Sequence, residues 1–170
     1  MSISEHNSVF IIAIDFGSNS NKYLLANSIN NPVKNNYNLI DVEYQFLLKD
    51  SIIHKISNIL KAGKSDKEIQ DYIANYQILL KTFFSKIENN LKKFLKFIYK
   101  ANYLCIVSVG TEFYRKSNYY VEQIIKFNKE ELKNLEYTLK NKYRKKVLSY
   151  GFEIINQERE SELVFIGINK

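Results

Sequence analysis

The sequence predicts an α/β fold with a mixed five-stranded sheet in βββαβαβ order and flanking helices, within one domain spanning residues 1–170. Three observations predict it. The first three β-type runs are joined by short connections, which suggests an antiparallel meander. After Gly63 the apolar spacing changes to steps of three and four residues, the period of a helix. Apolar β-type runs then return twice, and a right-handed crossover would set those strands parallel to the first. At 170 residues the chain can bury one real core but not two full α/β domains.

Val9–Ile14 is a continuous, β-branched apolar run, which reads as a strand buried on both faces. Lys22–Ser28 is the second strand, Asn30-Asn31-Pro32 a turn, and Tyr37–Leu48 the third strand. Lys49–Lys61 reads as a short helix. Ser65-Asp66-Lys67-Glu68 has the form of a capping box, and Ile69, Tyr72, Ile73, Tyr76, Leu80, Phe83, Ile87, Leu91, Phe94 and Ile98 form one apolar face beyond it. A straight helix of that length would overrun a small domain, so a bend is expected near Glu88-Asn89-Asn90. Tyr103–Val109 is a strand ended by Gly110-Thr111. Ser117–Phe127 and Lys129–Leu148 read as two helices, Phe152–Ile155 as a short strand after Gly151, and Gln157–Ile168 as a last helix.

Net charge is +7, which suits polyanionic ligands, but the lysines are spread over helices as on any solvated face. Nucleic acid is therefore a weakly grounded partner. Cys105 is the single cysteine, so no disulfide forms within the chain, which fits a reducing cytoplasm; it reads as a small buried apolar residue rather than a reactive thiol. His6 and His54 have no partners at zinc-ligand spacing. No apolar run has the length of a membrane span, and the polar N-terminus MSISEHNS does not read as a signal peptide.

The chemistry-bearing stretch is Ile11–Ala26, where an apolar strand ends in Asp15 and the small-residue turn Gly17-Ser18-Asn19-Ser20. Phosphate binding needs backbone N–H groups in a concavity and small residues that let the ligand approach. Gly17 permits a tight turn, and Ser18, Asn19 and Ser20 add donors. Asp15 can hold hydrated Mg²⁺, and Lys22 can supply a cation. An ordinary hairpin uses the same residue types for local reasons.

Asp15-Phe16-Gly17-Ser18-Asn19-Ser20 resembles the first phosphate motif of the sugar kinase, heat-shock chaperone and actin superfamily, in the Ser-Asn-Ser form of the exopolyphosphatase/guanosine pentaphosphate phosphatase (Ppx/GppA) family. Cys105–Arg115 is similar to the family strand and loop that end in a phosphate-contacting arginine. Phe152–Gly167 is similar to the final strand and helix of the family's first domain, where the second of two acids activates the attacking water; that acid falls on Glu160. The matching segments, 9–26, 103–118 and 152–168, make up less than a third of the chain and stand in family order.

The resemblance implies a ribonuclease-H-like, actin-like ATPase fold and hydrolysis of phosphoanhydride bonds in inorganic polyphosphate or guanosine pentaphosphate, in the cytoplasm. It implies that Asp15 holds Mg²⁺, that Gly17, Ser18, Asn19, Ser20, Lys22 and Arg115 bind phosphate, and that Glu160 is catalytic. The chain departs from the family at Asn156-Gln157, which replace Ser-Gly, at Arg159, which replaces the first acid, and at Asn21-Lys22. The family's second actin-like domain is not present within these residues, so a half-site is expected, completed by a homodimer or a complementing domain. Two rival readings stay open: a non-catalytic module that binds guanosine tetraphosphate, another phosphorylated nucleotide or a partner protein, and a nucleic-acid-binding domain. Arg115 has an alternative use in a structural ion pair, and Glu160 as a helix-start carboxylate favoured by the dipole.

Overall fold

The computed structural model describes residues 8–17, 20–31, 36–46, 52–63, 65–116 and 118–161; for 28–31, 36–46, 52–54 and 57 the description is of backbone alone. Strands β1 (Ser8–Phe16), β2 (Asn21–Asn31), β3 (Asn36–Phe46), β4 (Tyr103–Gly110) and β5 (Lys146–Ile154) form one mixed sheet in the spatial order β3-β2-β1-β4-β5. The first three make an antiparallel meander, whereas β4 and β5 run parallel to β1. Between them lie α1 (Ile52–Lys61), α2 (Asp66–Leu91), α3 (Leu95–Lys100) and α4 (Tyr119–Tyr143), with 3₁₀ turns at Lys92–Phe94 and Glu112–Arg115. A further helix starts at residues 157–161; the remainder of the expected last helix lies outside the described residues, as does Pro32 of the expected turn.

One face of the sheet carries the core. Phe10, Ile12, Ile14 and Phe16 of β1 are buried there with Leu104 and Ile106 of β4. Phe83 and Phe84 of α2 meet the Phe16 ring, and α4 adds Val121, Ile124, Leu132, Leu135 and Leu139. Each such side chain contributes about 1.5–3 kcal/mol of burial. Ile11, Ala13 and Asp15 point to the other face and are only partly buried. The expected burial of β1 on both faces is thus corrected: the buried set alternates along the strand, so its two faces are not equivalent. The β1–β2 hairpin is tied to the helical layer by Tyr23, whose hydroxyl accepts a hydrogen bond from Asn90 of α2.

Helix boundaries differ from the sequence expectation for local reasons. The long helix breaks at Lys92–Phe94, one turn after Glu88-Asn89-Asn90. At its start the Ser65 hydroxyl faces the Glu68 carboxylate at 3.4 Å and caps no backbone N–H, so the reciprocal capping box is not made. The two helices expected over 117–148 are one continuous α4. Val121, Ile124, Leu132, Leu135, Leu139 and Tyr143 keep a single buried register across Asn128, which is itself fully buried. Asn118 caps the helix by accepting the Tyr120 N–H at 2.8 Å. Arg144 stops it in a left-handed conformation, φ 52°, with its N–H on the Lys140 carbonyl. The strand therefore begins at Lys146 rather than Phe152, and Gly151 lies inside it, at φ 71°, as part of a bulge. The Ser108 hydroxyl donates to the Gly151 carbonyl at 2.6 Å and pins that bulge.

Gly110, the last residue of β4, is required by close approach. A Cβ there would stand 2.4 Å from the Phe152 ring and 2.9 Å from the Tyr114 ring. Gly110→Ala is expected to cost about 1–3 kcal/mol or more in chemical denaturation, because two packed rings have to move. A variant as stable as the parent would show that the rings are not held.

Candidate functional site

Parallel pairing aligns three strand ends. Phe16 lies beside Gly110, and Gly110 beside Ile154, so the chain leaves β1, β4 and β5 at one edge. Cross-links between the exits reinforce this: the Thr111 N–H reaches the Phe16 carbonyl at 3.4 Å, and the Ile155 N–H reaches Gly110 at 3.1 Å. Ligands of open α/β sheets bind outside the carboxyl ends of parallel strands, where loops converge and backbone groups are left over.

The β1 exit carries Asp15 and the turn. Asp15 stands opposite Lys22 in the antiparallel ladder, and Lys22 Nζ lies 3.7 Å from Asp15 Oδ2. The other carboxylate oxygen, Oδ1, is buried and has no hydrogen-bond partner. The Gly17 N–H donates to the Ser20 carbonyl at 3.1 Å and closes the turn, so this amide serves the hairpin rather than a ligand. Gly17 is needed there because a Cβ would come within 2.7 Å of that carbonyl. Ser18 and Asn19, expected as phosphate donors, lie outside the described residues.

The β4 exit makes the 3₁₀ turn that ends in Arg115. Its Nε donates to the Ile155 carbonyl at 2.8 Å, and its Nη2 pairs with Glu160 Oε2. The β5 exit presents Glu160. Asn156 caps the following helix by accepting the Arg159 N–H at 2.7 Å, and its carbonyl accepts the Glu160 N–H at 3.0 Å. The replacement of Ser-Gly by Asn156-Gln157 therefore keeps a capping residue at this position. Glu160 also acts on Asp15: burial pushes the Asp15 carboxyl above its usual value of 3.8, Lys22 opposes this, and the Glu160 charge adds to it. The Glu160 carboxylate thus pairs with Arg115 and its charge acts on Asp15, while Asp15 and Lys22, with Ala13, Leu24, Val107 and Val109, line an open groove of about 310 Å³.

These groups suit an oxyanion with a hard cation. Arg115 offers planar paired donors, Lys22 a point charge, and Asp15 Oδ1 an oxygen ligand with no competing partner. Among the described residues no three His, Cys, Asp or Glu side chains cluster at metal-binding distance, so a cation here would rely on Asp15, water and ligand oxygens. That is the usual habit of Mg²⁺, and the site fits it. No helix among the described residues is long and apolar enough to cross a membrane.

Two contributors escape the sequence pattern. The Ile155 carbonyl holds Arg115 through backbone alone. Behind the strand tips lies a buried polar set of Asn21, Tyr76, Tyr114 and Asn128. Its one legible sign was Asn128, a polar residue in the apolar register between Ile124 and Leu132.

No family model and no curated protein matches this chain. Solved structures similar to it include a Ppx/GppA family member from Aquifex aeolicus, at 17% identity and TM-score 0.38, covering 90% of this chain and 37% of the other. An exopolyphosphatase from Cytophaga hutchinsonii matches at 19% identity and TM-score 0.34, with 94% and 38% covered. A nucleoside triphosphate hydrolase from Neospora caninum matches at 12% identity and TM-score 0.42, with 89% and 29% covered. The chain therefore spans less than two fifths of the length of each of these proteins.

The Asp15 environment sets a pH dependence. A carboxyl raised above its unfolded value stabilises the fold most below pH 3.8, and that contribution is lost as pH rises through the raised value. The half-exposed Lys22 pair offsets only about 0–1 kcal/mol of this. Asp15→Asn is expected to melt higher than the parent near neutral pH, with the gap closing as pH falls to 3.8 and below. A lower neutral-pH melting temperature for the variant would contradict the desolvated carboxylate.

Proposed function

We propose that this chain is a Ppx/GppA-type phosphatase domain of ribonuclease-H-like fold, which binds the terminal phosphate of inorganic polyphosphate or guanosine pentaphosphate and hydrolyses its phosphoanhydride bond. The observation that carries the reading is the convergence of Asp15, Arg115 and Glu160 from three strand ends, with Glu160 paired to Arg115 and its charge felt at Asp15. The three motif segments that suggested the reading are distant in sequence and leave the sheet at one edge.

Arg115 has two hands. Its Nε is fixed on the Ile155 carbonyl, which aims the remaining donors toward Glu160. A phosphate arriving there takes over those donors and releases the Glu160 carboxylate. Glu160 can then accept a proton from a water in line with the phosphorus–oxygen bond, the role phosphoryl hydrolysis needs. Lys22 stays on the Asp15 side and draws the anion toward the strand tips. Mg²⁺ held by Asp15 would offset phosphate charge. Completion of the cleft by a second domain or a second copy belongs to the same proposal.

One observation favours a second reading, a non-catalytic module that binds a phosphorylated nucleotide or polyphosphate. Glu160 is engaged by Arg115, and Arg159 stands where the family has an acid, so the carboxylate can serve simply to orient the guanidinium.

Phosphate release from polyphosphate and from guanosine pentaphosphate with Mg²⁺ separates the two. Turnover by the parent should fall about 10²- to 10⁴-fold in Glu160→Gln. Equal release by both would remove Glu160 from the mechanism. Calorimetric binding without any turnover would support the module, and binding to neither anion would defeat both readings.

A further inference from the structure

The strand tips have a polar layer beneath them that the proposed chemistry does not use. Tyr76 of α2, Tyr114 of the 3₁₀ turn and Asn128 of α4 are all buried, with at most 2% exposure. The Tyr76 hydroxyl donates to Asn128 Oδ1 at 2.7 Å, and Asn128 Nδ2 donates to the Tyr114 hydroxyl at 3.3 Å. The third side is the 3.4 Å contact between the two hydroxyls. With the Tyr76 proton committed to Asn128, the Tyr114 hydroxyl is the donor on that side. Each group then donates once and accepts once, and the ring closes.

Burial keeps the ring neutral. It pushes Tyr76 up to about 12 and Tyr114 well above the usual tyrosine value. A satisfied neutral ring in a low-dielectric core is stiff, because any rotation strands a polar group at a cost of about 1–3 kcal/mol. Asn21 adjoins it. Its amide faces the Tyr76 hydroxyl without closing a bond of good geometry, and both its polar atoms are buried without partners.

Chain adjacency connects this layer to the site. Tyr114 immediately precedes Arg115, and Asn21 immediately precedes Lys22. At each pair one side chain turns into the core while its neighbour serves the strand tips. The Tyr114 ring is further wedged edge-on against Phe113 and Phe152, and its N–H bonds the Thr111 carbonyl at 3.0 Å.

We infer that Tyr76, Tyr114 and Asn128 are positioning residues that fix the Arg115-bearing turn for anion binding, through the hydroxyl of Tyr114. The inference rests on the phosphate-binding reading of Arg115, but the position of Arg115 can be measured without a ligand. Loss of the Tyr114 hydroxyl leaves the aromatic packing in place and frees the turn to shift, so the Nε–H bond to Ile155 opens more often.

The test uses the full chain with Tyr114→Phe, Tyr76→Phe and the exposed control Tyr137→Phe. Solvent exchange of the Arg115 Nε–H is read by nitrogen-15 NMR, and affinity for tripolyphosphate with Mg²⁺ by calorimetry. Tyr114→Phe and Tyr76→Phe are each expected to speed that exchange about fivefold and to weaken anion binding by a similar factor. The control should change neither. Unchanged Arg115 exchange in a folded Tyr114→Phe protein would overturn the inference, even if its melting temperature fell, since that pattern marks a purely structural ring. If Tyr114→Phe does not fold, Tyr76→Phe carries the same expectation and the same contrary outcome. If the parent fails to bind tripolyphosphate, the phosphate reading falls, and the exchange result alone decides the positioning role.

Discussion

Parallel pairing of β1, β4 and β5 is the constraint from which the candidate site follows. It brings Phe16, Gly110 and Ile154 side by side, so three segments far apart in the sequence leave the sheet at one edge. The exits are then cross-braced by Thr111 on Phe16, by Ile155 on Gly110 and by Arg115 on Ile155. Glu160 then pairs with Arg115, and its charge acts on Asp15. A slip of one residue in either parallel ladder would turn every side chain to the opposite face and disperse the set.

The two sides of these strand tips have different tasks. On the helix-covered side, Gly110 admits the Tyr114 and Phe152 rings, and the hydroxyls beyond them close a neutral ring with Asn128. On the other side Asp15 is kept half-desolvated with one oxygen unpartnered, and Glu160 adds to its discomfort. Such a carboxylate lowers the stability of the resting protein. A cation or an anion–cation pair that relieves it would bind N and not U, and so would raise the apparent stability on binding. This is the trade commonly seen where function asks for charge in a poorly solvated place.

Much of this organisation was legible in the sequence, and the exceptions are physical. Strand runs such as Val9–Ile14 and Tyr103–Val109 are short, rich in β-branched residues and bounded by turn residues, which marks them as strands, and Asp15 ends the first of them; Arg115 and Glu160 could be named only through the family resemblance. The continuity of α4 was hidden by Asn128, which looks like a break unless its two buried tyrosine partners are known, and those come from α2 and the 3₁₀ turn. The start of β5 was hidden by lysines shared with the helix end, since Lys145 bonds the Tyr99 and Ala101 carbonyls only once the fold exists. The Lys22–Asp15 pair depends on ladder register, and Arg115's hold on Ile155 on a backbone carbonyl, and neither leaves a mark in residue types.

Whether the three strand ends build one binding surface is tested most directly by a double-mutant cycle on affinity for Mg²⁺-tripolyphosphate, with Asp15→Asn, Arg115→Ala and the double variant. Side chains that serve one ligand are expected to couple by about 0.5–3 kcal/mol. Effects that add to within about 0.3–0.5 kcal/mol would mean that Asp15 and Arg115 act on separate surfaces, and the shared phosphate site would be refuted.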